Sequence, residues 1–415
     1  MATEGLQGLS RTGRLLLGML LGCLAGLLAA DAASALTEYE VPTPLSQPAG
    51  ITVGPDGALW FTEENGHKIG RITTSGAITE YPVPTNPSSP GEITAGPDGA
   101  LWFTEFGANP PKIGRITTAG AFTEWELSLG AAPDGITPGP DGAIWFSRNG
   151  DGKIGRITTD GTSITEYPLP TGFRPGDITS GPDGRLWFTE SEANKVGAIT
   201  TDSTPQITEY DVPGSDPSGI AASGGAIWFT MNLANLIGKI PATGLPPGQL
   251  PVEFGPTGKG PSGIALGPDG ALWFAETDAG RIGRMTTTGR ITEVPLPSAL
   301  SAPGEITAGP DGAMWFTEQG TNKIGRVEAG SSIVTPPPPP PQPLTPPATK
   351  TATPAKKTCR VPRVRGLNVR KARKKMKRAG CRYRIRGRGR IVSSRPRAGA
   401  KTRATVQLRA KPKRR

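Results

Sequence analysis

The ten residues GPDGALWFTE occupy positions 54–63 and recur unchanged at positions 96–105. Near copies begin at Gly139, Gly181, Gly267 and Gly309, and a seventh, SGGAIWFTM from Ser223, keeps the Trp-Phe pair and loses Pro-Asp. The tryptophans Trp60, Trp102, Trp145, Trp187, Trp228, Trp273 and Trp315 are spaced by 42, 43, 42, 41, 45 and 42 residues. A repeat of this period belongs to propellers and solenoids. Within one repeat, four short apolar pieces alternate with turn signals, at 50–53, 58–62, 68–73 and 77–81 in the first. Pro55-Asp56-Gly57 is a tight turn, since Pro presets φ and Gly accepts positive φ. Four antiparallel strands in about 40 residues make one propeller blade. No helical periodicity of useful length competes with this reading.

The fourth-strand phrase also has seven copies: TEY at Thr37, Thr79, Thr165 and Thr208, TEW at Thr123, VEF at Val252 and TEV at Thr292. The first precedes the first Trp-Phe, and none follows the last. The seventh blade therefore lacks its own outer strand, and residues 37–41 are expected to supply it. The predicted fold is all-β: a seven-bladed β-propeller over residues 36–330, closed by the N-terminal strand, which leaves no open sheet edge at the seam. The Leu-Trp-Phe triplets are expected to pack between blades rather than to stack on a ligand.

Around the ring lie other segments. Residues 1–35 read as an export signal: Arg11 and Arg14 precede an apolar run at 15–30, and Ala33-Ser34-Ala35 offers a cleavage site. Leu-Leu-Gly-Cys at 20–23 is an alternative lipoprotein signal, disfavoured by the apolar residues after Cys23. The expected location is secreted or attached to the cell envelope, with no transmembrane span. Residues 331–358 are a Pro-rich spacer of polyproline II character. Residues 359–415 form a small basic α+β module. From Lys350 to the end there are 27 Lys or Arg and no Asp or Glu, which leaves 19 basic against 35 acidic residues in the rest of the chain. An acidic ring thus carries a basic tail.

The phrases ITxGPDGxLWFTE, NKIGRIT and ITEYPxPT in series resemble the virginiamycin B lyase (streptogramin lyase) family over residues 36–328. That resemblance implies a seven-bladed propeller that opens the lactone of type B streptogramins by elimination with magnesium. It places catalytic histidines in loops of the Pro-His-Gly-Ile kind. The matching loops here read PAGI, PGEI, PDGI, PGDI, PSGI, PSGI and PGEI, beginning at Pro48, Pro90, Pro133, Pro175, Pro217, Pro261 and Pro303. None contains His, so no catalytic residue is carried over. The chain's one histidine, His67, falls in a loop between strands two and three and reads as a surface residue. An elimination needs a base of near-neutral pKa, a role His fills readily.

These loops carry carboxylates instead: Glu92, Asp134, Asp177 and Glu305, expected to crowd one mouth of the channel. Glu63, Glu105, Glu190, Glu276 and Glu318, at the ends of Trp-Phe strands, are candidates for the same face. Such a cluster suits a hard cation, Mg or Ca, or a cationic small molecule. A solvated acidic rim is the alternative. In the tail, VPxVxGLxxxxA and SxxPxAGA resemble a PASTA domain over residues 359–410. Cys359 and Cys381 flank its first strand and helix and are candidates for a disulfide. Arg363, Arg365, Lys374, Lys375, Arg384, Arg386 and Arg388 are candidates for binding anionic cell-wall or other envelope polymers. Nucleic acid is disfavoured, since Tyr383 is the tail's one aromatic residue. The expected function is ligand binding by a monomeric, envelope-tethered propeller. A metal-dependent lyase acting on cyclic lactones and a structural interaction scaffold are the alternatives.

Overall fold

The computed structural model describes residues 36–329, 359–360, 367, 369–379, 383–386, 390–395, 401–402 and 406–411. The chain divides into two compact units, residues 1–336 and residues 337–415. The first is the predicted ring. Strands β2(Pro48–Val53), β3(Leu59–Glu63), β4(Lys68–Ile72) and β5(Ile78–Pro82) form one antiparallel sheet, and five further blades follow in the same order up to β25(Ile291–Pro295). The seventh combines β26(Pro303–Ala308), β27(Ala313–Glu318) and β28(Lys323–Glu328) with β1(Leu36–Glu40). Leu36 pairs with Val327 and Glu40 with Lys323, so β1 closes the ring as predicted.

The repeated phrase accounts for this locally. Gly57 takes φ +74 and its N–H bonds to the Gly54 carbonyl at 3.0 Å, which turns the hairpin. Asp56 Oδ1 accepts from Trp60 Nε1 at 3.0 Å, while Oδ2 accepts from Arg71 Nε at 2.6 Å. One carboxylate thereby ties the turn to strands two and three. Burial alone would raise its pKa, but the hydrogen bonds from Trp60 and Arg71 outweigh that and lower it. Trp60 stacks on Tyr81 of its own blade and packs, with Ile69, against Ile93, Leu101 and Phe103 of the next. Gly70 faces the Phe61 ring so closely that a Cβ there would overlap it, which explains the glycine in each KIGRI phrase. The tryptophans are core residues, as expected.

At the channel, the inner strand of most blades is bulged. In β2, Pro48 pairs with Glu63 but the next pair is Ile51 with Phe61, so one residue is extra. Bulges re-aim side chains, and those of strands in other blades carry residues that line one cavity. The spare N–H of the extra residue needs a partner. Thr62 Oγ1 accepts from Gly50 N at 2.9 Å and donates to the Gly91 carbonyl of the next blade at 2.5 Å. Thr104, Thr189 and Thr317 make the same two contacts in their blades.

The acids that end the Trp-Phe strands correct one expectation. Glu63, Glu105, Glu190, Glu276 and Glu318 lie at the same end of the ring as the loop acids, but each is fully buried behind its own blade. Strand alternation is the reason: Glu63 shares the face of Phe61, and Thr62 shares that of Trp60. Glu63 sits against Glu80 and Lys68, Glu105 against Glu124 and Lys112, and neither carboxyl finds a hydrogen-bond partner. Burial first, then the neighbouring carboxylate, pushes Glu63 up to about 7 and Glu105 to about 8. Burial does the same to Glu190, Glu276 and Glu318, each to about 7. In blade three the same position is Arg148, which pairs with Asp151 at 2.6 Å and with Glu166.

In the second unit, α1(Val369–Arg378) buries Ala372 and Met376, while Lys374 and Lys375 are exposed. β30(Tyr383–Arg386), which carries Arg384 and Arg386, runs parallel to β33(Val406–Lys411), and β31(Arg390–Arg395) pairs antiparallel on β33's other side. β29(Cys359–Arg360) pairs with β32(Lys401–Thr402). The export signal, the Pro-rich spacer, Cys381, Arg363, Arg365 and Arg388 lie outside the described residues.

The five buried acids make the ring's stability fall with rising pH. Folded, they hold protons that the unfolded chain releases above about pH 4.5, so stability is lost as pH rises toward 7–8. Glu105→Gln should therefore melt higher than the parent by about 2 °C or more at pH 8.5, with a smaller gap at pH 5. Calorimetric melts at the two pH values check this. A gap that does not widen with pH would mean that Glu105 is ionised throughout.

Candidate functional site: an acidic well at the channel mouth

Glu92, Asp134, Asp177 and Glu305 line one cavity of about 170 Å³. The four sequence candidates are thus brought together, although they come from blades two, three, four and seven. Glu92, Asp134 and Glu305 occupy the bulges of β6(Pro90–Ala95), β10(Pro133–Pro138) and β26. Asp177 stands just before the shorter β14(Ile178–Ser180). Glycines admit the neighbours: a Cβ on Gly50 would lie 2.8 Å from Glu92 Oε2, and one on Gly263 would lie 2.6 Å from Glu305 Oε2. Asn149, Thr189, Ser191 and Ser218 complete the polar lining. Sequence reasoning missed these four. Asn149 and Ser191 follow the last residues of the Trp-Phe strands, and that position was the available signal. None of Glu63, Glu105, Glu190, Glu276 or Glu318 lines the well, and neither does any Lys, Arg or His.

The charges are therefore uncompensated. Burial raises Glu92 well above the carboxylate range, and the charges of Glu305, Asp177 and Asp134 add to the effect. Glu305 is pushed up to about 8 by burial, then by Asp177 and Asp134. Asp177 reaches about 7 through burial, although the N–H groups of Ile220 and Ile178 favour its charge at 2.9 and 2.7 Å. Asp134 keeps contact with water through the mouth, yet protein crowds it enough that desolvation still raises it. Asn149 Nδ2 approaches it at 3.4 Å and partly offsets that. Near neutral pH the well thus holds protons that it sheds as pH climbs through 7–8.

An all-oxygen lining has the donor chemistry of a Mg or Ca site. The geometry does not follow: among the described residues, no three Asp, Glu, His or Cys side chains converge to hold a metal ion. The carboxylates stand around the well rather than about a point.

His67 is more than a surface residue. It takes φ +53, and its Nδ1 accepts from Ser89 N at 3.1 Å, fastening the loop that leads into β6. Asn194 and Asn322 do the same at the matching turns, through Oδ1 to Ser215 N and Ser46 N.

A family model described as the virginiamycin B lyase family matches residues 29–224 and 131–342. A solved structure described as a streptogramin B lyase is 39% identical, with 71% of this chain and 97% of that one aligned at a TM-score of 0.65. A catalytically inactive His-to-Ala variant of virginiamycin B lyase from Staphylococcus aureus, with quinupristin, is likewise 39% identical. It aligns over 71% of this chain and 98% of its own at a TM-score of 0.64. A curated virginiamycin B lyase from Bacillus licheniformis is 56% identical over 41 residues, which cover 10% of this chain and 14% of that relative's length. Matched over the whole ring in sequence and in fold, the chain belongs to the virginiamycin B lyase family.

Proposed function

We propose that this protein is an exported propeller that binds a small cationic group in its acidic well rather than opening a lactone. The observation that carries this is the convergence of Glu92, Asp134, Asp177 and Glu305 on one cavity whose lining holds no basic side chain. Elimination by the route that the family resemblance implies needs histidine at the channel. The chain's one histidine, His67, is engaged in holding a loop. A second reading draws on the same carboxyls. With Asp177 at about 7 and Glu305 at about 8, they have the acidity of a general acid–base pair. A lyase with altered catalytic groups is the form that reading takes.

Methylguanidinium serves as the probe for the well. Replacing Glu92 and Glu305 together by Gln should weaken its binding at least about tenfold at pH 8, since two charge-assisted contacts are lost. Titration calorimetry reads this, and affinity unchanged by the double replacement rules out the well as the binding site.

The basic unit tethers the ring to anionic envelope polymers in this reading. What supports it is the charge of residues 350–415 together with exposed Lys374 and Lys375 on α1. Among the described residues no helix is long and apolar enough to cross a membrane. Such binding releases counterions and weakens steeply with salt. Deleting residues 350–415 should abolish salt-sensitive co-sedimentation with cell envelopes, and undiminished co-sedimentation would remove the tether role.

A further inference from the structure

Of the nine large apolar side chains exposed among the described residues, six lie on one face of the ring. Among the described residues, Leu45, Phe106, Leu129, Phe173, Leu233 and Leu300 all lie in loops at the end where the inner strands begin, which is the mouth of the acidic well. Three others, Leu250, Val252 and Leu266, lie away from it. Four of the six are more than 70% exposed, so packing does not explain them: Leu45 at 85%, Leu300 at 79%, Leu129 at 75% and Leu233 at 71%. Phe106 stands beside Gly91, next to Glu92. Leu129 and Phe173 are in the loops that lead to Asp134 and Asp177. Exposed apolar surface gathered in this way marks a contact site.

The arrangement inverts an ordinary interface, whose centre is apolar and whose rim is polar. A partner that fits must bury a cation at the centre and apolar groups around it. At roughly 30 Å³ per water the well holds about five or six waters, the room that one arginine side chain takes. It is smaller than the roughly 300 Å³ at which drug-sized ligands are bound. The acceptors are spread around the wall and do not meet at a point. A planar fork of five donors reaches such acceptors together, whereas a compact ammonium does not.

We infer that the mouth face docks a protein segment that inserts an arginine into the acidic well and lays flanking apolar side chains on the collar formed by Phe106, Leu129 and Phe173. This rests on the cation-binding reading above and names the occupant. It makes the arginine the anchor and the collar the ring that excludes water from it.

The test uses the full chain at pH 8 with three probes: the capped hexapeptide Gly-Leu-Phe-Arg-Leu-Gly, the same peptide with citrulline for arginine, and N-acetylarginine amide. The arginine peptide should bind at least about tenfold tighter than either of the others, as each comparison removes one half of the contact. Leu129→Ser with Phe173→Ser should bring the peptide down toward the amide, at an unchanged melting temperature. Leu250→Ser, on the outer edge, should leave it as it was. A peptide no tighter than the amide overturns the collar and leaves the cation-binding well standing. A citrulline peptide as tight as the arginine one overturns the arginine anchor. If neither the peptide nor the amide binds, both readings fall.

Discussion

A hydroxyl on the second strand of six of the seven blades holds the channel together. Thr62 accepts from the N–H that the inner-strand bulge frees and donates to a carbonyl of the next blade. Without it that N–H would be buried and unpaired, at a cost of about 1–3 kcal/mol. The bond fixes two things together: the conformation of the bulge and its distance from its neighbour. Since Glu92 and Glu305 ride on such bulges, the geometry of the acidic well follows from a contact that involves no acid. Blade six has Ala275 in that place, and there Thr277 Oγ1 bonds the Pro303 carbonyl of blade seven instead, at 2.8 Å.

Much of this was legible in the residues. The turn chemistry of Pro-Asp-Gly, the count of seven tryptophans and the unpaired first TEY led to the blades and to their closure by β1. The four loop acids could be placed at one mouth because a repeat puts equivalent positions on a circle. What was misjudged depended on direction within a strand. Glu63 and its counterparts stand one residue after the channel-facing position, and alternation sends them to the opposite face, into burial, as beside Lys68 and Glu80 for Glu63. His67 looked idle because its role belongs to a turn filled by Asn194 and Asn322 elsewhere, where either side chain offers an acceptor to the following loop. Asn149, Thr189, Ser191 and Ser218 carry no charge, and they come to line the well only through pairing across blades. The collar could not be seen at all, because a loop leucine reads the same whether folded in or left in water.

The two sets of acids illustrate what position does to one functional group. Behind the blades, the five strand-end carboxyls are enclosed, and burial raises their pKa values to about 7–8. Arg148 shows the other solution, a guanidinium that meets the same neighbours with opposite charge. In the well, the carboxyls repel one another but remain reachable, so a cation from outside can do what a proton otherwise does. The first arrangement bears on stability, and the second is what the cation-binding proposal rests on. Membership of the virginiamycin B lyase family establishes the scaffold, and the chemistry must be argued from the residues at the mouth.

That argument turns on whether the ring, whose one histidine is His67, opens a lactone. The direct measurement is mass spectrometry of a type B streptogramin incubated with the full chain and magnesium. The account predicts that the lactone stays intact. A linearised product, lost when Glu305 is replaced by Gln, would contradict it and would make the carboxyls of the well catalytic.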